Sequence, residues 1–237
     1  MPADDAKRRL LITAGPTYEP IDAVRFIGNR SSGRLGSSLA DHAADADWCV
    51  TLLLGPNAIL PSDPRVKVVR FHSCRDLEAA LDEQLPIHDT LVMAAAVADY
   101  RPATEEINLQ GKRRRTAGDL SIHLESTPDL LAGCSQQARG NQLLVGFALE
   151  PRERLMESAR RKLKKKNIDL IVANALETMD SDTIEATLLG NPDRGLETEL
   201  RTPGEITKAD FADWLLGQLG PLTDRRKAVM TESTTNG

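Results

Sequence analysis

The sequence predicts an α/β fold, a three-layer sandwich on a mostly parallel sheet with a small antiparallel extension. Short apolar runs at residues 9–14 and 90–96 lack the polar alternation of half-exposed strands, which is typical of parallel strands buried on both faces. Amphipathic segments separate these runs, as in a sheet covered by helices on both sides. Two apolar stretches flank residues 190–193, and this spacing predicts an antiparallel hairpin.

The individual elements follow from periodicity and from residues that begin or end them. Ser31, Ser73 and Pro128 are residue types that favour helix starts. The predicted helices begin at these three residues and at residues 152 and 208, and the last one ends near Leu219. The predicted strands lie at residues 9–14, 48–54, 66–71, 90–96, 142–148 and 168–173, with an edge strand at 120–124 and the hairpin strands at 185–189 and 196–200.

Composition restricts the class of protein. The chain has 237 residues, is 41% apolar and carries a net charge of −5, which fits one folded domain over residues 1–220 and a flexible polar tail over 221–237. The acidic total and the scarcity of aromatic residues argue against nucleic-acid binding. No apolar run is long enough for a membrane span, and no export signal precedes the first strand. Cys49, Cys74 and Cys134 lack metal-ligand spacing, so we expect reduced thiols in the cytoplasm.

The sequence gives little evidence for catalysis by a histidine or by a pair of carboxylates. The four histidines lie away from the predicted strand exits, and no Ser/His/Asp arrangement or acidic pair stands out. We therefore expect no nucleophilic triad, and the residues that would bind a metal stay unassigned. Ligands of parallel sheets bind beyond the carboxyl ends of the strands, which directs attention to residues 15–29, 94–101, 146–150 and 173–174.

The segment at residues 29–36 is the first candidate site. A helix start offers free N–H groups to an anion, and Gly33 lets a ligand approach the backbone. The segment is neither a Walker A loop nor the G-x-G-x-x-G fingerprint. An ordinary capped helix is the alternative interpretation.

Three further candidates carry charge. Asp99 follows the small residues Ala95 and Ala96, where it could accept from a ribose or bind a metal, or merely cap a loop. The cluster at residues 112–115 could form a flap that closes over phosphate, or a solvated face. Lys162 and Lys166 share one helix face, which could border a cleft or be an ordinary basic surface.

Five segments in this order resemble the phosphopantothenate–cysteine ligases. They are residues 13–33, residues 94–102, residues 128–131, Gly146 with Phe147, and the stretch from Lys162 to Asn174. The motifs are similar to the bacterial, CTP-dependent type. The resemblance implies a Rossmann-like fold, a homodimer in which strands of one protomer complete the other's site, and a stand-alone enzyme without flavin.

The resemblance also implies a reaction of coenzyme A biosynthesis. The carboxylate of 4′-phosphopantothenate would attack the α-phosphate of CTP, with Mg²⁺, to give an acyl-cytidylate and pyrophosphate. L-cysteine would then attack the acyl carbon and release CMP. The small-molecule partners would be phosphopantothenate, CTP and cysteine.

The residue roles implied by the resemblance fall into three groups. The catalytic residues would be Asn29, as an oxyanion donor, and Lys112. The nucleotide would be held by Asp99, Lys112, Pro128, Asp129, Leu130, Leu131, Phe147, Lys162 and Lys166, and the substrate by Arg25, Asn29, Ser31, Ser32, Gly33, Ala95 and Ala96. Thr127 stands where the family usually has Asn, Lys112 is displaced by a few residues, and Pro16 and Tyr18 also depart from the common pattern.

Two other functions stay open at this point. A nicotinamide-dependent short-chain reductase would use a similar sheet, but the chain lacks the glycine fingerprint and contains no Tyr-x-x-x-Lys. A non-catalytic binder of nucleotide or phosphopantothenate would keep the fold and lose turnover.

Overall fold

The computed structural model of the chain describes residues 7–114, 118–178 and 181–235, with side chains described through residue 228. The described residues form five α-helices and fourteen strands. The helices are α1 (Arg34–Asp45), α2 (Cys74–Gln84), α3 (Leu130–Gln137), α4 (Leu155–Lys165) and α5 (Lys208–Thr235). The strands are β1 (Arg9–Ala14), β2 (Tyr18–Pro20), β3 (Phe26–Gly28), β4 (Cys49–Leu54), β5 (Lys67–Arg70), β6 (Thr90–Met93), β7 (Tyr100–Pro102), β8 (Leu124–Ser126), β9 (Leu143–Glu150), β10 (Leu170–Ala175), β11 (Thr183–Ile184), β12 (Ala186–Gly190), β13 (Glu199–Arg201) and β14 (Ile206–Thr207).

Eight strands form the central sheet in the order β13-β12-β10-β9-β6-β1-β4-β5. The strands from β10 to β5 run parallel, while β12 and β13 add an antiparallel extension. Three antiparallel pairs, β2–β3, β7–β8 and β11–β14, lie outside this sheet. The predicted Rossmann-like α/β architecture is confirmed.

Strand β1 shows why the sheet strands are continuous apolar runs. Leu10 and Ile12 belong to the core cluster shared with α1 and α5, whereas Leu11 belongs to the cluster shared with α2, α3 and α4. All three side chains are completely buried. Since successive side chains point to opposite faces of a strand, a sheet with helices on both faces requires apolar residues at every position.

The order of the strands creates a switch point between β1 and β6. The chain proceeds from β1 to β4 and β5 on one side, and later returns to β6, β9 and β10 on the other. Beyond the strands, the amide of Ala96 donates to the carbonyl of Gly15 at 2.9 Å, so the two exits stay adjacent. A crevice at this place is where open α/β sheets bind ligands.

The predicted edge strand at residues 120–124 is wrong. Strand β8 begins at Leu124, and its partner is the unpredicted strand β7. Leu120 and Leu124 are exposed, so the apolar alternation that suggested a strand has no core to face. A β-strand needs a hydrogen-bonded neighbour, and β7 pairs with this part of the chain only from residue 124 onward.

The helix expected to end near Leu219 extends instead through the segment for which the sequence suggested a flexible tail. Helix α5 continues through Pro221 to Thr235. Thr223 is completely buried and exchanges a hydrogen bond with Thr90 at 2.8 Å, while Asp224 accepts two from Arg8. A proline removes one backbone donor, and these tertiary contacts offset that loss. Residues 236–237 lie outside the described residues, and the single domain over 1–220 remains a prediction.

The remaining predicted helices and sheet strands are present with shifted ends. The strand expected at 90–96 ends at Met93, and the helix expected at 128 begins at Leu130. Cys74 and Cys134 are buried free thiols, and burial raises their pKa values to about 11 and about 12, so neither is an activated thiolate. Among the described residues, no helix combines the length and apolar character that a membrane crossing requires.

Candidate active site

Helix α1 begins unusually close to the end of β1. Gly33 is its N-terminal boundary residue and has a φ of 69°, a left-handed conformation that favours glycine. A Cβ atom on Gly36 would stand 2.4 Å from the Cβ atom of Ala14, so only glycine permits this approach. No side chain caps this end among the described residues, and Ser31 and Ser32 make only 3.4 Å contacts with nearby amides. The first-turn N–H groups are therefore available to an anion.

A cavity of about 370 Å³, called here the first cavity, lies between the start of α1 and the exits of β6, β9 and β10. Four cationic residues and no carboxylate are among its described lining residues. This composition attracts an anionic ligand, and the dipole of α1 adds to the attraction. The lining residues are Arg30, Ser31, Ser32, Gly33, Arg34, Leu35, Gly36, Ala94, Ala95, Ala96, Val97, Phe147, Leu149, Lys162, Asn174, Thr178, Ile184 and Lys208.

A second cavity of about 260 Å³ adjoins the first. Ala95, Val97 and Phe147 line both cavities, so the side chain of Phe147 stands at their common border. The residues that line only the second cavity are Met93, Ala98, Asp99, Thr127, Pro128, Asp129, Leu130, Leu131 and Lys166. The structure thus brings together most of the residues assigned to the nucleotide.

The two candidate lysines each pair with a carboxylate. The ammonium of Lys162 lies 2.7 Å from Glu150, and that of Lys166 lies 2.6 Å from both oxygens of Asp129. The hydrogen bond from Lys162 lowers the pKa of Glu150. Burial opposes ionisation of Asp129, but the Lys166 ammonium and a helix amide outweigh it and lower the pKa of that carboxyl. Each lysine is thereby oriented by a carboxylate at a cavity wall.

Asn29 is exposed and is not among the described lining residues of either cavity, but it contacts Val97, which lines both. Its side-chain Nδ2 donates to the carbonyl of Val97 at 2.9 Å. An amide nitrogen carries two donors, so this bond orients the group and leaves a second N–H for a ligand. The position suits a donor to an atom that reacts where the cavities meet.

Asp99 stands exposed at the rim of the second cavity. Within the described part of the chain, its carboxylate makes no hydrogen bond, while its carbonyl accepts from the amide of Thr127 at 3.0 Å. The hydroxyl of Thr127 donates to the carbonyl of Ala98 at 2.6 Å. Thr127, which departs from the family pattern, therefore fixes the rim that carries Asp99.

The structure does not bring Arg25 and Lys112 to these two cavities. Arg25 forms an ion pair with buried Asp22 and donates to the carbonyl of Arg113, and its hydrogen bonds lower the pKa of Asp22. Lys112 is exposed and lines neither cavity. Arg113, its neighbour, is held by Glu106 and by Asp22. Arg115 of the same basic cluster lies outside the described residues.

Five polar residues of the first cavity had no assigned role: Arg30, Arg34, Asn174, Thr178 and Lys208. Arg30, Arg34 and Asn174 lie in segments that the sequence singled out, whereas Thr178 and Lys208 do not. Asn174 ends up 8% exposed, and its Nδ2 donates to the hydroxyl of Thr178, which in turn donates to the carbonyl of Ala175. The hydroxyl proton of Thr178 is used in its bond to Ala175, so this hydroxyl accepts from the amide nitrogen of Asn174. The amide oxygen of Asn174 therefore points away from Thr178 and can accept a hydrogen bond from another group. Its place after a buried strand was the available signal. Arg34 pairs with Asp182, a contact between distant segments that periodicity cannot reveal.

A Rossmann-like sheet with a cationic cavity and a helix N-terminus at its switch point defines a class of α/β proteins that take phosphate-bearing ligands there. Residues 6–219 match the family described as the C-terminal domain of the DNA/pantothenate metabolism flavoproteins. The chain belongs to this family.

Curated relatives cover most of the chain. A protein of an unknown prokaryotic organism, named cysteine/cysteine sulfinic acid decarboxylase, is 41% identical over 203 residues, which are 84% of this chain and 55% of that protein. The coenzyme A biosynthesis bifunctional protein CoaBC of Mycobacterium tuberculosis H37Rv is 42% identical over 184 residues, which are 74% of this chain and 44% of that protein. The chain spans about half the length of the curated relatives it matches.

A solved structure supports the same family. The crystal structure of the C-terminal domain of CoaBC has a TM-score of 0.76 and 32% sequence identity to this chain. It covers 94% of this chain, which in turn covers all of that domain. The likeness therefore extends over the whole domain rather than over one motif.

Proposed function

We propose that this protein joins 4′-phosphopantothenate to L-cysteine at the expense of CTP, giving 4′-phosphopantothenoylcysteine for coenzyme A biosynthesis. One observation carries the proposal: two cavities meet at Phe147, one cationic and one bearing the residues that the resemblance assigns to the nucleotide. The name and domain likeness of CoaBC point to the same pathway.

In the first step the carboxylate oxygen of phosphopantothenate attacks the α-phosphorus of CTP. A new O–P bond forms, the bond to pyrophosphate breaks, and an acyl-cytidylate results. Both reactants are anions, so cations must reduce their repulsion. Lys162 and the N–H groups at the start of α1 share one cavity and supply positive charge there.

In the second step the amine of cysteine attacks the acyl carbon and displaces CMP. Negative charge develops on the acyl oxygen, and the second N–H of Asn29, which the bond to Val97 leaves unused, would stabilise it. Ser31, Ser32, Gly33, Ala95 and Ala96 form the wall against which the substrate would lie.

The nucleoside would occupy the second cavity. Asp99 would accept from the ribose, and the start of α3 at residues 128–131 would border the base. Lys166 would add positive charge near Asp129. Lys112 would reach the phosphates only if its loop moves toward the cavities, since it lines neither of them in the structure.

Magnesium would accompany the triphosphate rather than occupy a protein cage. The described residues contain no cluster of three or more candidate metal ligands. Mg²⁺ in nucleotide sites is held mostly by phosphates and water with one or two carboxylates, and the residue that would supply such a carboxylate stays unassigned. When bound, the ion would neutralise charge on the phosphates.

A homodimer is part of the proposal. The β2–β3 and β7–β8 hairpins expose apolar side chains of Val24, Phe26, Tyr100 and Leu124, which are between 38% and 61% exposed. Adjacent exposed apolar side chains mark association surfaces. Arg25 belongs to the β2–β3 loop, so in a dimer it would reach the partner's substrate rather than its own cavity. Sedimentation of the wild type against Phe26→Asp tests this part.

The test is pyrophosphate release that depends on both phosphopantothenate and a nucleotide. A panel of CTP, ATP, GTP and UTP identifies the nucleotide, and CMP release on adding cysteine reports the second step. Omission of Mg²⁺ tests the metal. Pyrophosphate release without phosphopantothenate, or none with any nucleotide, would contradict the proposal.

The same assay separates the other candidate functions. Cysteine sulfinate as sole substrate, with carbon dioxide measured, tests the activity in the name of the first relative. NADPH binding would support a reductase, and tight nucleotide binding without turnover would support a binder. Visible absorbance of the purified protein tests the expected absence of flavin. We place the enzyme in the cytoplasm, in keeping with its unpaired cysteines.

A further inference from the structure

An arginine-rich cavity of about 220 Å³ lies at the end of the sheet where the parallel strands begin, opposite the strand exits that form the candidate active site. It is bordered by the segments that precede β9 and follow β12, and by helix α5. We call it the arginine cavity, and its lining residues are Gly140, Leu143, Arg194, Gly195, Leu196, Leu222, Arg225 and Arg226. The proposed ligase reaction uses none of them.

The charge of this cavity is not balanced among its described lining residues. Arg194 and Arg226 both bond to one oxygen of Asp169, at 2.7 and 2.5 Å, and the other oxygen accepts from the amide of Leu144. Asp169 is completely buried, and no carboxylate is among the lining residues that the structure describes. Three guanidinium groups therefore meet one carboxylate in a protein of net charge −5. Such a concentration of positive charge attracts an anion.

The guanidinium groups keep donors free for that anion. Arg194 uses Nε and one terminal nitrogen, on Asp169 and the carbonyl of Asn167, and its other terminal nitrogen makes no bond among the described residues. Exposed Arg225 has no hydrogen-bond partner in the described part of the chain. Arg226 uses both terminal nitrogens, on Asp169 and on the carbonyls of Gly140 and Arg194, and only its Nε makes no bond among the described residues. Asp169 thus orients two arginines while part of their hydrogen-bonding capacity remains unused.

The walls and size of the cavity suit a small ligand. Cβ atoms placed on Gly140 or Gly195 would meet nothing within 4 Å, so the backbone borders open space. A volume of about 220 Å³ lies below the usual range for whole cofactors and fits a phosphoryl group. Arginine forks match the oxygens of phosphate. Strand β10 separates this end of the sheet from the candidate active site by roughly 17 Å at ordinary strand rise.

We propose that the arginine cavity is a second anion site that binds a phosphate group, separate from the site of the ligase reaction. Arg194 and Arg226 form its fixed base, because Asp169 holds them in place. Arg225 closes it from the solvent side. The phosphate could be free or the end of a phosphomonoester.

The experiment follows the backbone amides of Gly140 and Gly195 by NMR in the full chain at physiological salt. The probes are inorganic phosphate and CMP, which distinguish the free ion from a phosphomonoester. The test variant is Arg225→Gln, and the control is Arg201→Gln, which removes a charge from exposed strand β13. Asp169 and its two arginines stay intact in both variants, so the fold is preserved.

We expect saturable shifts of both amides with at least one probe. The dissociation constant should rise about tenfold in the Arg225 variant, since one charge-assisted hydrogen bond is lost, and stay unchanged in the control. Shifts confined to the region of Gly33, with none at Gly140 and Gly195, would overturn the proposal. So would equal affinity in wild type and the Arg225 variant. Neither result depends on the ligase reaction.

Discussion

Replacing Lys162 by Gln should separate nucleotide binding from folding. The Lys162–Glu150 pair is partly exposed, with side-chain exposures of 33% and 27%, so its loss should cost about 1 kcal/mol of stability or less. A charge-assisted hydrogen bond to a phosphate in the same cavity is worth about 1.5–3 kcal/mol. The variant should therefore bind CTP roughly tenfold to a hundredfold more weakly while it remains folded.

Isothermal titration with CTP and Mg²⁺ measures the affinity, and urea unfolding measures the stability. Lys164→Gln is the matched control, because Lys164 is exposed on the same helix and lines neither cavity. The double variant Lys162→Gln with Glu150→Gln removes the unpaired carboxylate and should recover stability without recovering affinity. Unchanged CTP affinity in a folded Lys162 variant would refute the placement of the triphosphate.

Four further predictions concern the site, the core, pH and the last helix. Asn29→Asp should permit pyrophosphate release but raise the activation free energy of CMP release by about 3 kcal/mol. Normal turnover of this variant would contradict the oxyanion role. Gly36→Ala should lower the free energy of unfolding by about 1–3 kcal/mol, since the new methyl meets Ala14, and an unchanged urea midpoint would contradict it. Burial lowers the pKa of His88, so stability should fall as pH drops below about 6.5, where the unfolded state binds the proton first; His88→Gln should flatten this dependence in urea titrations. Truncation after Gly220 should lower the melting temperature, because the bonds made by residues 223–227 are lost; an unchanged melting temperature would show that this segment is dispensable.

Much of the candidate site could be predicted because its residues follow buried strands. Ala95, Ala96 and Asp99 come after β6, and Phe147 lies in β9, so the parallel order alone places them at one edge. Spacing placed Lys162 and Lys166 on one helix face, while their role at the nucleotide came from the resemblance to the phosphopantothenate–cysteine ligases. Their carboxylate partners followed from neither, since Glu150 and Asp129 come from other elements.

Loops were the hardest part to predict. Arg25 and Lys112 lie in segments whose course is set by contacts such as Arg25 with Asp22 and Arg113 with Glu106. A loop has no repeating hydrophobic pattern, so its sequence does not indicate which distant residues it contacts. The end of α5 was misjudged for a similar reason, because a proline and polar residues usually end a helix unless tertiary contacts hold it.

The sequence by itself determined the α/β class, the parallel sheet and the edge of the sheet at which a ligand is expected. Hydrophobic periodicity and the order of helices and strands along the chain are local properties, so they can be read from the sequence. Only the tertiary structure decided how the strand exits divide into two cavities that meet at Phe147, which carboxylates hold the lysines, and that three arginines gather at the opposite edge. These features depend on contacts between residues far apart along the chain, and their geometry exists only once the helices have packed on the sheet.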